Sequence, residues 1–204
     1  MRAGILALQG DVGEHRSALR ACGADAVEVR SASDLEGVDA LVIPGGESTT
    51  MLKLIDRYEL RDPLVKRIEA GLPVLGTCAG AIVLASRTTD GDLPVRSARV
   101  GVGATGASLR PLGVLDLSVR RNAYGSQRES FEAEIEVAGV GPLTAVFIRA
   151  PVFEDPGPGV EVLAAWAERP VVVRSGRLLA TAFHPELSGT PALHGYFLEE
   201  MGGG

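Results

Sequence analysis

Cys78 stands between two glycines, in Gly76-Thr77-Cys78-Ala79-Gly80, with apolar residues 73–75 before it and residues 81–85 after it. Read as strand, turn and helix, this places the sulfur at the tip of a nucleophile elbow. The turn is tight, and side chains two residues to either side would collide. The same reading puts Cys78 at a helix N-terminus, where the dipole favours a thiolate. A buried structural cysteine is the competing reading of any isolated thiol. The paired glycines and the strand–helix context favour a nucleophile. Cys22 has neither and sits in a plain helical pattern.

A nucleophilic thiolate needs a proton shuttle, because the leaving group departs protonated. His184 is the candidate, with Glu186 two residues on and Pro185 stiffening the segment between them. A carboxylate there can accept from the imidazole and fix its tautomer. The oxyanion of an attacked carbonyl requires N–H donors. Pro44-Gly45-Gly46 follows a strand-like segment, and the expected donors are the Gly46 and Ala79 amides. His15 lies at a polar helix start and His194 in the last helix. Both are expected to be solvated or half-buried, outside the chemistry.

These groups must be carried by a scaffold. Short apolar runs at residues 3–8, 26–29, 39–43 and 73–75 alternate with helical patterns at residues 14–22, 48–55, 64–70 and 81–85. Ser48 or Thr49 is the expected cap of the second of those helices. Alternation of this kind predicts a single three-layer α/β domain, with a mixed, mostly parallel sheet and helices on both faces. Apolar residues make up 46% of the chain but aromatics only 4%, so the core must be aliphatic, as suits such a sheet. The second half differs. Residues 87–113 are rich in Gly, Arg, Ser and Thr and are read as a long loop, an insertion at about 87–114. Strands are expected at 115–119, 131–137, 145–148, 160–165, 170–173 and 178–182, the last three as an antiparallel meander. A helix over 191–201 closes the chain.

Other classes are disfavoured. A net charge of −6 without a basic run argues against nucleic acid. No apolar run reaches the roughly 20 residues of a membrane span, and no signal peptide is read. Two cysteines make no disulfide framework, which points to a reducing, cytoplasmic setting. No zinc-ligand spacing occurs, and neither metal nor cofactor is expected.

Three of these motifs together, Pro44-Gly45-Gly46, Gly76-Thr77-Cys78-Ala79-Gly80 and His184-Pro185-Glu186, resemble the class I, triad-type glutamine amidotransferases, which have a flavodoxin-like fold. Finer motifs resemble the glutaminase subunits of pyridoxal 5′-phosphate synthase. They are Ala7-Leu8-Gln9-Gly10-Asp11-Val12, Gly46-Glu47-Ser48-Thr49-Thr50, Arg121-Asn122-Ala123-Tyr124-Gly125, Phe147-Ile148-Arg149-Ala150-Pro151 and Ala182-Phe183-His184-Pro185-Glu186-Leu187. The resemblance runs nearly end to end. It implies L-glutamine as substrate, Cys78, His184 and Glu186 as the triad, and a glutamine site formed by Gly46, Glu47, Ser48, Arg121, Ile148 and Arg149. It also implies a partner, a ring-forming synthase subunit that accepts the ammonia, with Gln9 and Gly10 forming a loop gated by that partner. Ser126 departs from the pattern, which carries arginine there. A glutaminase serving another synthase, a peptidase-like hydrolase and a silent binding subunit stay open at this level.

Overall fold

The computed structural model describes residues 1–90, 93–95, 110–121 and 130–201. The first half runs β1 (Arg2–Leu6), α1 (Val12–Ala21), β2 (Asp25–Val29), α2 (Ala32–Glu36), β3 (Ala40–Ile43), α3 (Ser48–Arg57), α4 (Arg61–Glu69), β4 (Val74–Thr77) and α5 (Ala79–Leu84). Then follow β5 (Ala85–Asp90), β6 (Leu93–Val95), β7 (Leu115–Arg121), β8 (Phe131–Val137), β9 (Gly141–Phe147) and β10 (Val152–Glu154). The chain ends with β11 (Glu161–Trp166), β12 (Arg169–Ser175), β13 (Leu178–Thr181) and α6 (Ala192–Tyr196), which runs on as a π-helical turn over Phe197–Met201.

The main sheet has the order β11-β12-β13-β4-β3-β1-β2. Its five strands from β13 to β2 pair in parallel, and β11 and β12 continue it antiparallel. Every residue of β3, β4 and β13 is buried, the pattern of strands covered on both faces by helices. That strand order decides where chemistry can occur. Gln9-Gly10 follows β1, Gly45-Gly46 follows β3, Cys78 follows β4 and His184 follows β13. The four strands are adjacent, so four motifs separated by up to 175 positions meet at one carboxyl edge.

A second sheet, β10-β7-β5-β6, carries Arg121 at the end of β7, and the hairpin β8–β9 leads into Ile148 and Arg149. Four of the nine aromatics gather where the hairpin meets the main sheet. Phe131 stacks on Phe147 at 4.7 Å between ring centroids, Trp166 packs on both, and Phe183 lies 5.6 Å from Phe147. Backbone N–H of His184 donates to the Val146 carbonyl at 2.9 Å, so the hairpin pins the segment that carries the histidine.

The loop expected over residues 87–113 needs correction at its start. The chain leaves α5 directly as β5, which pairs in parallel with β7 through residue 90 and antiparallel with β6. The pairing partner, 30 residues away in sequence, overrides a composition that favours turns. The rest of that segment lies largely outside the described residues, as does Ser126. The short α2 and β10 were not anticipated. α2 is held by a capping box in which Ser31 accepts from Asp34 N and Asp34 accepts from Ser31 N.

Candidate active site

At the end of β4 the backbone turns at Cys78 with φ 49° and ψ −103°, a left-handed conformation that is strained for any residue with a Cβ. The neighbouring glycines make it feasible. A Cβ on Gly76 would lie 2.6 Å from Leu84 Cδ1, and one on Gly80 would overlap the Ile43 carbonyl of β3. The Cys78 side chain is turned to a pocket of about 260 Å³ and its thiol reaches the Ile148 carbonyl at 3.9 Å. Arg149, also at that pocket, is a second non-glycine residue at positive φ, 44°.

His184 lines the same pocket. Its Nδ1–H donates to Glu186 Oε1 at 2.7 Å, with the histidine side chain 6% exposed and the glutamate wholly buried. Pro185 and Glu186 lie in a 3-10 turn that starts as the histidine ends, which brings carboxylate and imidazole together. Burial alone would discharge the ring, but Cys78 and Glu186 outweigh it through hydrogen bonds and charge, and the pKa of His184 rises to about 10. Both contacts favour the charged ring over the neutral one. Asp11, at the mouth, places Oδ2 3.4 Å from the same Nδ1. Asp11, His184 and Glu186 are close enough to hold a cation between them, but Nδ1 is already engaged with Glu186.

Of the residues expected in the site, Gly46, Glu47, Ser48, Cys78, Ala79, Arg121, Ile148, Arg149 and His184 all line this one pocket, joined by Asp11, Ile82 and Pro151. Glu186 stands behind His184, and Gln9 and Gly10 stand beside the Gly45-Gly46 turn. Arg121 donates to Thr49 Oγ1 at 3.1 Å, while its neighbour Arg120 points to Glu154, at 2.8 Å.

Two expectations change. The cap of α3 is Glu47, not Ser48 or Thr49. Its carboxylate accepts from Thr49 N at 2.9 Å and from Thr50 N at 2.7 Å, because a glutamate one residue earlier reaches both amides. Against some burial, the Thr50 and Thr49 contacts hold its pKa near 2. Being below the ordinary value of 4.5, that shift stabilises the fold fully above about pH 4.5 and is lost as pH falls toward 2. Glu47→Ala should cost about 1 kcal/mol, or roughly 2–4 °C in Tm at pH 7. The difference from wild type in thermal melts should shrink as pH drops below 4.

His15 and His194 are the second correction. Neither is solvated. Both are fully buried, because α1 and α6 pack together behind the elbow. His15 Nδ1 lies 2.9 Å from His194 Nε2, and His15 Nε2 lies 3.2 Å from Thr77 Oγ1 and 3.4 Å from Glu186 Oε2. Burial, then His194 and His184, keep His15 far below the usual histidine pKa, and burial takes His194 to about 4. The only hint in sequence was position: His15 falls four residues into a helix that starts at the sheet edge carrying the other motifs.

The chain's sequence matches the SNO glutamine amidotransferase family over residues 5–202. It is 51% identical over 200 residues to a Thermus thermophilus protein named pyridoxal 5′-phosphate synthase subunit PdxT, covering 98% of this chain and 97% of that one. A protein of the same name from Acidothermus cellulolyticus is 53% identical over 204 residues, with 97% and 92% covered. A solved structure described as a glutamine amidotransferase is 49% identical and superposes over the whole of both chains with a TM-score of 0.86. PurLQS from Thermotoga maritima, at 15% identity and a TM-score of 0.64 over 96% of this chain and 95% of that one, shares the fold. No helix among the described residues is long and apolar enough to cross a membrane. The chain belongs to the SNO glutamine amidotransferase family.

Proposed function

We propose that this chain hydrolyses L-glutamine through a Cys78 thioester and hands the ammonia to a ring-forming synthase subunit that builds pyridoxal 5′-phosphate. The observation that carries the reading is that Cys78 and His184 face one pocket of about 260 Å³ with Arg121, Arg149 and Glu47, while buried Glu186 holds His184 from behind. The names of the relatives at about half identity support the pathway.

The chemistry follows from the groups. The Cys78 sulfur attacks the side-chain amide carbon, and the carbonyl oxygen takes up the electron pair as an oxyanion. The Gly46 and Ala79 N–H groups are the donors proposed to receive it. His184, holding the proton that the Cys78–His184 pair shares, gives it to the departing nitrogen, and ammonia leaves as the thioester forms. The now neutral imidazole takes a proton from water, whose oxygen attacks the thioester. Glutamate departs and the thiolate returns. Glu186 keeps the ring aligned and balances the imidazolium in each half. An arginine pair suits the α-carboxylate of the free amino acid, and the Glu47 carboxylate suits its ammonium.

A cytoplasmic location goes with this reading and is supported by two free thiols. The test is ammonia release from L-glutamine by the purified chain, measured with and without a synthase subunit able to close the pyridine ring. Equal amounts of glutamate and ammonia are expected with the partner. Absence of both in the complex would overturn the function.

A further inference from the structure

Glu186 has a second oxygen that the mechanism leaves unused. Oε2 is fully buried and makes no hydrogen bond within normal limits. An orphaned carboxylate oxygen in the interior costs free energy, and an acid held through one oxygen alone would be a loose support for His184. His15 Nε2 stands 3.4 Å from that oxygen, a few tenths of an ångström beyond a good N–H to oxygen bond. The same nitrogen is 3.2 Å from the hydroxyl of Thr77, the residue immediately before the nucleophile. His15 thus touches both ends of the triad's support, the acid and the elbow.

Two observations favour one nitrogen of His15 as the proton carrier. If it were Nδ1, the bare lone pair of Nε2 would face the carboxylate, and His194 Nε2 would have to accept. His194 would then carry its proton on Nδ1, a buried nitrogen without a partner. An unpaired buried N–H is the rarer and costlier state. With the proton on His15 Nε2, His194 Nε2–H donates to His15 Nδ1 at 2.9 Å, and the orphaned His194 Nδ1 is only an acceptor. The groups facing His15 are Thr77 from β4, Glu186 from the 3-10 turn, His194 from α6 and, at longer range, His184. Both buried rings are neutral, as this arrangement requires.

We propose that His15 is a positioning residue for the glutaminase reaction: its Nε2–H holds the second oxygen of Glu186, and His194 on the last helix locks His15 in that tautomer. This rests on the glutaminase reading. A line of side-chain contacts then runs from Cys78 through His184, Glu186 and His15 to His194, and it ties the last helix to the catalytic edge.

The test uses the chain complexed with its synthase subunit. His15→Leu should lower kcat about 10-fold or more with KM within about twofold, because orientation and not binding is lost. His15→Gln, whose amide N–H can stand where Nε2–H stood, should recover much of that rate. In a Glu186→Gln background His15→Leu should cost less than about twofold, since its target is gone. Equal losses in His15→Leu and His15→Gln, or full additivity with Glu186→Gln, would overturn the proposal. Should the variants not fold, nitrogen-15 imidazole spectra of the wild-type chain decide: the Nε2–H tautomer of His15 supports it and the Nδ1–H tautomer sinks it. A wild-type complex that releases no ammonia refutes the glutaminase reading instead, and leaves the tautomer result standing.

Discussion

Cys78→Ser should reduce ammonia release from glutamine by on the order of 10³ or more, while Cys22→Ser leaves it near wild type. A hydroxyl in place of the thiol keeps the size of the side chain but is a far weaker nucleophile at neutral pH. The elbow does not rescue it, because φ 49° at residue 78 aims the group without changing its acidity enough. Cys22 lies half-buried on the C-terminal side of α1, its thiol 3.6 Å from the Pro191 carbonyl, and burial, then Glu199, raise its pKa away from reactivity. A glutamine-like alkylating agent should therefore label Cys78 and spare Cys22, read by peptide mass. Glu186→Gln should keep the fold and lower kcat by a factor of order 10², because a neutral amide cannot balance the imidazolium. His184→Asn should be worse still. Near wild-type rates in Cys78→Ser would remove the nucleophile assignment, and an unchanged Glu186→Gln would remove the acid.

The parts of this site that sequence could reveal are those coded by short, contiguous chemistry. The glycine spacing around Cys78 states a backbone requirement, and the structure meets it with β3 and α5 in contact behind the turn. His184 and Glu186 are two residues apart, so their 2.7 Å bond needs only a local turn. The apolar runs of β3, β4 and β13 name the central strands because burial on both faces leaves only a closing threonine polar in β4 and β13. What stayed hidden depends on packing between distant segments. His15 and His194 are 179 residues apart and look like ordinary helix histidines until α1 and α6 close over them. β5 pairs with a strand 30 positions on, which no local pattern in residues 85–90 records. Glu47 was expected as a pocket residue and proves also to be the cap of α3, since a long acidic side chain before a helix can fold back on its amides.

Gly10→Ala should lower kcat of the complex by on the order of 10² to 10³, with a smaller effect on KM. Gly10 has φ 105°, and a Cβ there would overlap the Gly45 carbonyl oxygen, so the substitution must push the Gly45–Gly46 peptide out of place. That peptide carries one of the two proposed oxyanion donors. Gln9 braces the same turn from the other side. Its Oε1 accepts from Glu47 N at 2.8 Å, and its amide lies 2.6 Å from where a Cβ on Gly46 would be. Gly46 itself sits at φ 138°, a region open to glycine and closed to residues with a Cβ. A partner docking on the Gln9-Gly10 turn would therefore set the orientation of the oxyanion donor, and catalysis would be gated by assembly. The free chain should be nearly silent, and Gln9→Ala should reduce the activation by the partner more than it raises KM for glutamine. Steady-state glutaminase rates with increasing synthase subunit read both effects. Equal rates for the free chain and the complex would sink the gate, and a Gly10→Ala complex within threefold of wild type would show that this turn does not hold the oxyanion peptide.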